Sequence, residues 1–511
     1  MVVLLINTPL SIPLAMKPLF ALVALLIPFC CPELLLAQST ESSFEKYRRE
    51  KKAEFETFRR EKKTEFEQYR QRLNEEYSRV LGSSWSTFRE EKRKDPPMRP
   101  KPVTPFSAAD GDGASAGKVP VGKVVKPAPA IPDVPVTLPE PAPAAQYPVN
   151  FSFFNTPCGI GRFDTSLLSL NGTDNASVSS AWSKLTDNER LTPLVNDCLR
   201  LREEMQLCDW GYLMLVEKVA ATLYPRSANS QAFLAVALLN QSGYDTRLCV
   251  KRGSLGMLYH PAHQIYGESS YIIDGKNYYQ RGAIENIDAP MSSYNGDFRE
   301  SPTPIRLTID RYPRFTPRPS ASRTYSSASW TMAPPFSLSV NSSVIDFFDK
   351  YPMVDWAIYG AAPLSPELKS VLWPVMKLLT DGLDELEAVN MLLSFNNYAF
   401  EYMTDGDQFG REKPFFLDEN FYYPYNDCED RAILFARLVN SILGLDVVYL
   451  KYPLHLATAV RFSPSTPVKG SYVTVDGHRY YVCDPTCIGG KAGYLAGQFS
   501  ASTPEVYKIL P

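Results

Sequence analysis

One cysteine lies between three carboxylates in the stretch YYPYNDCEDRAILFARLVNSILGLD, residues 422–446. Asp427 or Asn426 is a good helix N-cap, and apolar residues then recur at helical spacing up to Gly444. The sequence therefore predicts a helix with Cys428 in its first turn. Free backbone N–H groups and the positive end of the helix dipole favour the thiolate there, and the thiolate is the nucleophilic form of cysteine.

The two residues that such a nucleophile needs follow later in the chain. In VVYLKYPLHLATAVRF, alternation predicts a strand that projects His455 on the same face as the small Ala457 and Ala459. After an Asp-Gly turn, RYYVCDPT predicts a further strand that ends at Asp484. An imidazole can take the thiol proton, and a carboxylate can fix the imidazole tautomer. We therefore predict a Cys428–His455–Asp484 triad, with room for a substrate beside the small side chains.

Each of these residues also has a structural interpretation. Cys428 could be a buried core thiol, because free cysteines are often buried. His478 is a competing base, but it lies in the Asp-Gly turn, where a solvated histidine is expected. His260 and His263 in YHPAHQ flank Pro261, and solvated loop histidines are a simpler interpretation of that pair than a metal site.

The segments DCEDRA, HLATAV and YYVCDPT resemble the transglutaminase-like cysteine enzyme superfamily, in particular its bacterial proteinase branch, whose motif has the same Asp-Cys-Glu-Asp core. The resemblance covers roughly residues 346–490. It implies a papain-like α+β fold, with Cys428 as nucleophile, His455 as general base and acid, and Asp484 as the group that orients the histidine. The backbone N–H of Cys428 is the first expected oxyanion donor, and Gln408 or Asn426 is a candidate for the second.

The carboxylates beside Cys428 oppose its activation, because neighbouring negative charge raises the pKa of a thiol. Arg431 could offset that charge, or the fold could turn the carboxylates into backbone hydrogen bonds. A bound divalent cation is the other solution. In the bacterial proteinase branch such flanking acids are linked to calcium, and oxygen ligands suit calcium rather than zinc. Asp427 and Glu429 are therefore candidate calcium ligands, although the triad itself requires no cofactor.

An earlier part of the chain is similar to the catalytic part. SANSQAFLAVALLNQSGYDTRLCV and SYIIDGKNYYQ correspond to an apolar helix, a strand and an Asp-Gly hairpin, in the same order. We interpret the two parts as copies of one α+β unit. In the first copy Ala228 takes the position of Cys428 and Gly282 that of Asp484, with no histidine near the third position. Residues 150–300 are therefore expected to be a catalytically empty copy that supports or gates the active unit, or binds substrate.

Residues 1–37 predict an export signal. They hold Lys17, an apolar run and Leu-Leu-Ala before Gln38, the order that is typical of a cleavable signal sequence. Cleavage after Ala37 leaves seven of the nine cysteines. In an oxidising compartment an odd count predicts up to three disulfides and one thiol free for chemistry. The protein is therefore expected to be exported, whether periplasmic, cell-surface or secreted.

Residues 38–94 contain an eleven-residue repeat that predicts one long amphipathic helix. Its charged residues alternate in sign, which suits a solvated helix with pairs four residues apart. A spacer or a self-associating stalk is the simpler interpretation, and binding to a membrane surface or a partner helix is the alternative. The repeating aromatic positions are Phe44, Phe55, Phe66, Tyr77 and Phe88.

Composition sets the remaining boundaries. The chain has 511 residues, too many for one ordinary core. Two intervals are rich in proline with alanine or serine and lack a hydrophobic period, which predicts extended connections. The predicted order is signal peptide 1–37, long helix 38–94, Pro/Ala-rich linker 95–149, degenerate transglutaminase-like domain 150–300, Pro/Ser-rich connection 301–345 and catalytic domain 346–511.

Charge and chemistry together predict the function. A net charge of −3 without a basic face excludes nucleic acid as a partner, so the expected partner is a protein or peptide substrate. We predict an exported thiol enzyme that forms a thioester at Cys428, most simply a peptidase. A transamidating acyltransferase shares every step up to that thioester and remains an alternative. The other alternative is a non-enzymatic surface or periplasmic scaffold with a vestigial triad.

Overall fold

The computed structural model describes residues 43–96, 106–109, 117–126, 147–296, 302–327 and 334–509. The predicted export signal, residues 1–37, lies outside these ranges. Within them the protein is a mixed α+β structure, as the sequence predicts. No helix in the described ranges is long and apolar enough to cross a membrane.

The helices and strands are numbered in chain order. The helices are α1 (Ser43–Leu81), α2 (Asn175–Thr186), α3 (Thr192–Glu204), α4 (Asp209–Leu223), α5 (Ala228–Gln241), α6 (Ser342–Phe348), α7 (Trp356–Ala361), α8 (Pro366–Thr380), α9 (Glu385–Ala399), α10 (Asp405–Phe409) and α11 (Cys428–Leu438). The strands are β1 (Ser86–Phe88), β2 (Glu90–Glu91), β3 (Lys123–Val125), β4 (Val149–Phe153), β5 (Thr156–Ile160), β6 (Thr246–Lys251), β7 (Ser254–Tyr259), β8 (Ser270–Ile273), β9 (Lys276–Arg281), β10 (Met291–Ser293), β11 (Arg323–Tyr325), β12 (Phe336–Leu338), β13 (Glu401–Tyr402), β14 (Tyr425–Asn426), β15 (Asp446–Tyr452), β16 (His455–Arg461), β17 (Tyr472–Val475), β18 (His478–Cys483) and β19 (Glu505–Lys508).

Helix α1 ends earlier than the eleven-residue repeat predicts. The repeat continues to Phe88, but the helix stops at Leu81, and Phe88 pairs with Met291 in the neighbouring strand. Gly82 and the two serines after it are poor helix formers, and they end the helix although the aromatic spacing continues. The aromatic repeat thus includes both the last turns of a helix and the start of a strand.

Two larger sheets carry the same strand order. In the first sheet β10, β6, β7, β9 and β8 lie side by side, and in the second β19, β15, β16, β18 and β17 do so, all antiparallel. A helix, α5 or α11, precedes each set of strands and packs on its sheet. The two units therefore share one topology, and we call them the first unit and the second unit.

The hairpin turns of the two units have the geometry that their residues require. Asp274 and Gly275 have φ of 51° and 78°, and Asp476 and Gly477 have φ of 49° and 81°. Positive φ at both central residues is the condition for a type I′ turn, which matches the twist of the flanking strands. The predicted Asp-Gly hairpins are confirmed.

One apolar core runs through both units. It includes Trp182 and Phe233 from the first unit and Phe347 and Phe435 from the second, all fully buried. A second cluster covers the other face of the second sheet. Because the larger core is shared, loss of either unit would expose apolar surface of the other.

Part of the predicted linker 95–149 is bound to the second unit. Strand β3 lies within it and pairs in parallel with β19. Residues 106–109, which we call the cover segment, bridge to Ile488 through two backbone hydrogen bonds, Ala108 N to Ile488 O at 2.9 Å and Ile488 N to Phe106 O at 3.0 Å. An extended backbone without secondary structure of its own is free to pair with a sheet edge in this way.

The seven cysteines after residue 37 all lie within the described ranges, and all are free thiols. Six of them are buried. The expected disulfides are therefore wrong for this structure, and the simpler interpretation of these cysteines as small buried hydrophobic residues holds for most of them.

Candidate active site

Helix α11 begins at Cys428 with Asp427 at its N-cap, as predicted. The Asp427 N–H donates to Asp430 Oδ2 at 3.3 Å, which closes the first turn. Cys428 therefore lies where backbone N–H groups and the helix dipole favour negative charge. The backbone N–H of Leu456, on β16, also lies close enough to the sulfur to lower the pKa of the thiol.

The net result is nevertheless a pKa of Cys428 well above the ordinary thiol value. Burial is the largest cause, because the residue is only 1% exposed, and the charges of Glu429 and Asp427 follow. Cys428 Sγ donates a hydrogen bond to Glu429 Oε2 at 3.2 Å, which holds the proton on sulfur. In this state the residue is a thiol rather than a thiolate.

The histidine and the acid of the predicted triad are in contact. His455 is the first residue of β16, Asp484 directly follows β18, and His455 Nε2 lies 2.7 Å from Asp484 Oδ2. Both side chains are buried. Thr486 N donates to the other carboxylate oxygen at 3.0 Å, which fixes the acid. With Nε2 bound to Asp484, Nδ1 is the nitrogen that can accept a proton from a thiol.

The thiol is not joined to this pair. Within the described residues no hydrogen bond connects Cys428 Sγ to the His455 ring, since the sulfur is turned towards Glu429. The competing base, His478, is exposed at the start of β18, and no hydrogen bond among the described residues joins it to Cys428. His455 and Asp484 thus form a hydrogen-bonded pair, whereas Cys428 lies apart from them at the start of α11.

Two aromatic rings cover the imidazole. The ring of Phe499 stacks on His455 with centroids 4.8 Å apart and planes 9° apart. The ring of Phe106, from the cover segment, meets His455 edge-on at 5.6 Å and Phe499 at 5.7 Å. The pair His455–Asp484 is therefore closed off from solvent by side chains that are distant in sequence.

The strand that carries His455 alternates as predicted, but its small side chains do not form a substrate cleft. Leu456 packs in the core with α11, whereas Ala457 and Ala459 belong to the cluster on the opposite face. Val119 and Leu495 are part of that same cluster. The expected room for substrate beside the alanines is therefore wrong, because it is filled by packed side chains.

Four carboxyl groups are buried around the first turn of α11: Asp405, Asp427, Glu429 and Asp430. Burial raises the pKa of Asp427 to about 6. In the other three, burial is again the largest cause of a raised pKa, and the charges of neighbouring carboxylates add to it. Such a cluster is costly in an apolar surrounding unless protons, hydrogen bonds or a cation offset the charge.

The structure shows which of the expected groups interact with these carboxylates. Asp430 accepts a hydrogen bond from Phe415 N at 2.9 Å, so one of the three acids is turned into the backbone. Arg431 instead bonds to Asn426 Oδ1 at 2.9 Å and to a backbone carbonyl, and forms no ion pair with the cluster. Neither carboxylate oxygen of Asp427 has a well-formed hydrogen bond among the described residues. Asp427 and Glu429 are thus the members of the cluster that could bind a cation.

The donor set fits a hard cation such as calcium. Oxygens of Asp405, Glu412 and Glu429 lie within 4.8 Å of one another, and Asp427, Cys428 and Glu429 form a second group of the same size. An all-carboxylate set of this kind suits calcium. The predicted ligands Asp427 and Glu429 lie in these groups. Asp405 and Glu412 were missed, because the short stretch DGDQFGREK has no ligand spacing that would mark them.

A further residue that the sequence did not reveal is Tyr402. Strand β13 pairs in parallel with β14, and this places Tyr402 opposite Asn426, two residues before Cys428. Burial, and after it the charge of Cys428, raises the pKa of the Tyr402 hydroxyl, so the hydroxyl lies within electrostatic range of the sulfur. Of the two residues that the sequence offered as the second oxyanion donor, Asn426 already bonds to Asn420 and Arg431 through its side chain, and Gln408 lies in α10 with its amide oxygen buried.

The first unit has small residues at the three corresponding positions. Ala228 begins α5, Ser254 begins β7 and Gly282 directly follows β9, as the triad residues do around α11, β16 and β18. Ala228 and Gly282 line a cavity of about 330 Å³. The first unit therefore has no thiol, imidazole or carboxylate at the three corresponding positions.

Comparison with protein-family models, with curated proteins and with solved structures found no match to this chain. The function of the site therefore has to be inferred from its own residues.

The buried carboxyls predict how stability depends on pH. Because their pKa values are raised in the folded protein, the folded state holds protons that the unfolded state releases. In a chelator, the unfolding temperature should therefore fall as pH rises from about 4 through about 6, the raised value of Asp427. Asp427→Asn should recover on the order of 3 kcal/mol at about pH 8. Calcium should raise the unfolding temperature more at about pH 8 than at about pH 5, because fewer protons then compete with it.

Differential scanning calorimetry of the full chain measures this, with Asp407→Asn as the control, since Asp407 is exposed and lies two residues from Asp405. An unfolding temperature that rises across this pH range in chelator, or that does not respond to calcium, would show that the cluster is not a charged cation site.

Proposed function

We propose that this chain is an exported thiol enzyme of papain-like, transglutaminase-like fold, which cleaves peptide bonds through Cys428, His455 and Asp484. The observation that carries the proposal is the His455–Asp484 contact of 2.7 Å. His455 is the first residue of β16, and the N–H of the next residue, Leu456, lies close enough to the Cys428 sulfur to lower the pKa of the thiol. A nucleophile at a helix N-terminus with an oriented imidazole is the arrangement that acyl transfer through a thioester requires.

The proton path follows from which ring nitrogen is free. His455 Nδ1 takes the proton of Cys428 Sγ, and the sulfur attacks the carbonyl carbon of the substrate. The Cys428 N–H and the Tyr402 hydroxyl hydrogen-bond the resulting oxyanion. The imidazolium then gives its proton to the amide nitrogen as the C–N bond breaks, which leaves a thioester. Water attacks the thioester, gives a proton to Nδ1, and releases the acid and the thiol.

Three movements are required before this chemistry. Cys428 Sγ has to turn from Glu429, and the His455 ring has to turn from the face of Ala457 and Ala459 towards α11. The cover segment also has to leave His455. The segment is bound there by two backbone hydrogen bonds and by the Phe106 ring contacts. At about 1 kcal/mol for each hydrogen bond and a similar value for each aromatic contact, release costs only a few kcal/mol. Openings of this size are compatible with turnover on the millisecond scale.

Asp427 and Glu429, with Asp405 and Glu412, are the residues that would hold calcium. When bound, the ion supplies positive charge that offsets the carboxylates responsible for part of the raised pKa of Cys428. A Glu429 carboxylate bound in this way would be a weaker acceptor for the thiol proton. The role of this chain's own residues is to keep the carboxylates together beside the first turn of α11.

A non-enzymatic scaffold with a vestigial triad is the second candidate function. It is favoured by one observation, namely that the resting sulfur bonds to Glu429 and not to His455. The exposed rings of Tyr47, Phe55 and Phe58 on α1 would then serve self-association. An acyltransferase would use the same residues as the peptidase and differ only in the acceptor that resolves the thioester.

His455→Ala should lower the rate of peptide hydrolysis by at least about 10³-fold, because the thiol loses its base. For the same reason it should lower the rate of Cys428 alkylation by iodoacetamide by at least about 10-fold. Hydrolysis of a fluorogenic peptide library and mass-spectrometric mapping of the alkylated thiol measure the two effects. His478→Ala is the matched control and should behave like the wild type. Uniform slow labelling of all cysteines in both the wild type and His455→Ala would support the scaffold instead.

Tyr402→Phe should lower kcat by about 10–100-fold with little change in KM, because the hydroxyl is assigned to the oxyanion and not to substrate binding. Steady-state kinetics on the best library peptide measure the split. Tyr398→Phe, at an exposed position four residues away, serves as the control. A change confined to KM would remove Tyr402 from the oxyanion site.

Phe106→Ala should speed alkylation of Cys428 several-fold in the wild-type background, because it removes a ring that covers the site. The same alkylation assay measures the effect, and Phe55→Ala, at an exposed position on α1, is the control. If Phe106→Ala labels at the wild-type rate, the cover segment does not limit access.

A further inference from the structure

A cavity of about 410 Å³ opens at the far end of the second sheet from His455. Strand β16 runs from His455 to Arg461, and Arg461 lines the cavity. Six residues of strand separate the two by roughly 20 Å. The cavity is therefore distinct from the candidate active site.

Arg437, in the last turn of α11, is a partly buried cation without an ion pair among the described residues. Its Nε has no hydrogen-bond partner among the described residues, and burial lowers the pKa of the guanidinium with only the Tyr449 hydroxyl acting against this. The fully buried Arg431 also lacks an ion pair but donates to Asn426 and to a backbone carbonyl, whereas two described arginines that are partly buried like Arg437 are paired with carboxylates. Arg202 lies 2.6 Å from Asp209, and Arg281 lies 2.8 Å from Glu217. Arg437 thus differs from them in lacking a carboxylate.

Tyr449 supplies an unused hydrogen-bond donor to the same cavity. The side chain is fully buried, lines the cavity, and its hydroxyl has no partner among the described residues. A Cβ on Gly360 would lie 2.6 Å from that hydroxyl, so a glycine at this position is what accommodates the hydroxyl at the cavity wall. An unsatisfied buried hydroxyl beside an unpaired guanidinium is unfavourable until an acceptor binds both.

The two carboxylates that line the cavity pair with its other arginine and its lysine, and His478, which also lines the cavity, adds charge only when it is protonated. Arg461 lies 3.0 Å from Asp446, and Lys508 forms an ion pair with Asp476. One positive charge, that of Arg437, is therefore in excess, which matches a singly charged anion better than a doubly charged phosphate. The cavity is also larger than a bare carboxylate group, and Val447 and Ile509 are among its apolar walls.

We propose that this cavity binds the carboxylate of a small organic acid with an apolar body. The Arg437 guanidinium pairs with the carboxylate, and the Tyr449 hydroxyl donates a hydrogen bond to it. We call this the Arg437 site. It does not depend on the proposed peptidase activity, because neither residue contacts the triad.

Isothermal titration calorimetry of the full chain with benzoate tests the Arg437 site, using Cys428→Ala protein so that no turnover contributes. Benzoate should bind with a Kd in the millimolar range or below. Benzamide, which has the same ring without the charge, should bind at least 10-fold more weakly. Arg437→Gln and Tyr449→Phe should weaken benzoate by at least 10-fold and about 3-fold respectively, and Arg479→Gln, an exposed arginine on β18, should bind as the parent does.

Both test variants should fold, because each removes an enclosed polar atom, Arg437 Nε or the Tyr449 hydroxyl, that has no hydrogen-bond partner among the described residues. Their unfolding temperatures without ligand should equal or exceed that of the parent. If one nevertheless fails to fold, the other carries the test. Absence of benzoate binding, equal binding of benzamide, or equal binding by Arg437→Gln would each overturn the proposal. Inorganic phosphate that binds as tightly as benzoate in an Arg437-dependent way would overturn the carboxylate assignment in favour of phosphate.

Discussion

The burial of four carboxyl groups around one thiol is the constraint on which the rest of the second unit depends. Charge of one sign in an apolar surrounding must be offset, and here the offsets come from different sources. The α11 dipole and the hydrogen bond from Phe415 hold part of it, and protons or a cation must hold the remainder. The same carboxylates keep the proton on Cys428, so the state of the cluster sets the state of the nucleophile. The chemistry of the site and the stability of the fold are therefore linked through one set of groups.

Helix α11 carries side chains of opposite charge at its two ends. Glu429 and Asp430 occupy its first turn and Arg437 its last, which is the arrangement that complements the helix dipole. The dipole favours each group but is too weak to replace a direct partner for a buried charge, since its contribution is about 0.3–2 kcal/mol. The two proposed sites therefore lie at opposite ends of this helix, the one for a cation beside the thiol and the one for an anion at Arg437. The helix that positions the nucleophile is also the element that connects the two sites.

Repetition of one topology explains how a closed site and an empty one occur in the same chain. A helix followed by two antiparallel hairpins brings the first residue of the helix, the first residue of one strand and the residue after another strand to the same end of the sheet. In the second unit those positions are Cys428, His455 and Asp484, and in the first they are small residues beside an open cavity. The aromatic cover over His455 comes from Phe106, which lies outside the repeated unit, and from Phe499, which lies in the connection between β18 and β19. The covering of His455 thus depends on these two side chains and does not follow from the topology of the repeated unit.

The sequence by itself determined the local structure: the start of α11 at Cys428, the alternation of β16, the type I′ turns and the repeated order of elements. Each depends on residues close together in the chain, where capping, periodicity and φ preferences act. The tertiary structure alone decided which distant groups meet. Asp405 and Glu412 join the acid cluster, Tyr402 reaches the sulfur through a two-residue parallel pairing, and the predicted linker covers His455. It also turned the sulfur towards Glu429 and filled the space beside Ala457, because burial and packing are set by the whole core, whereas a sequence pattern reports only its own neighbours.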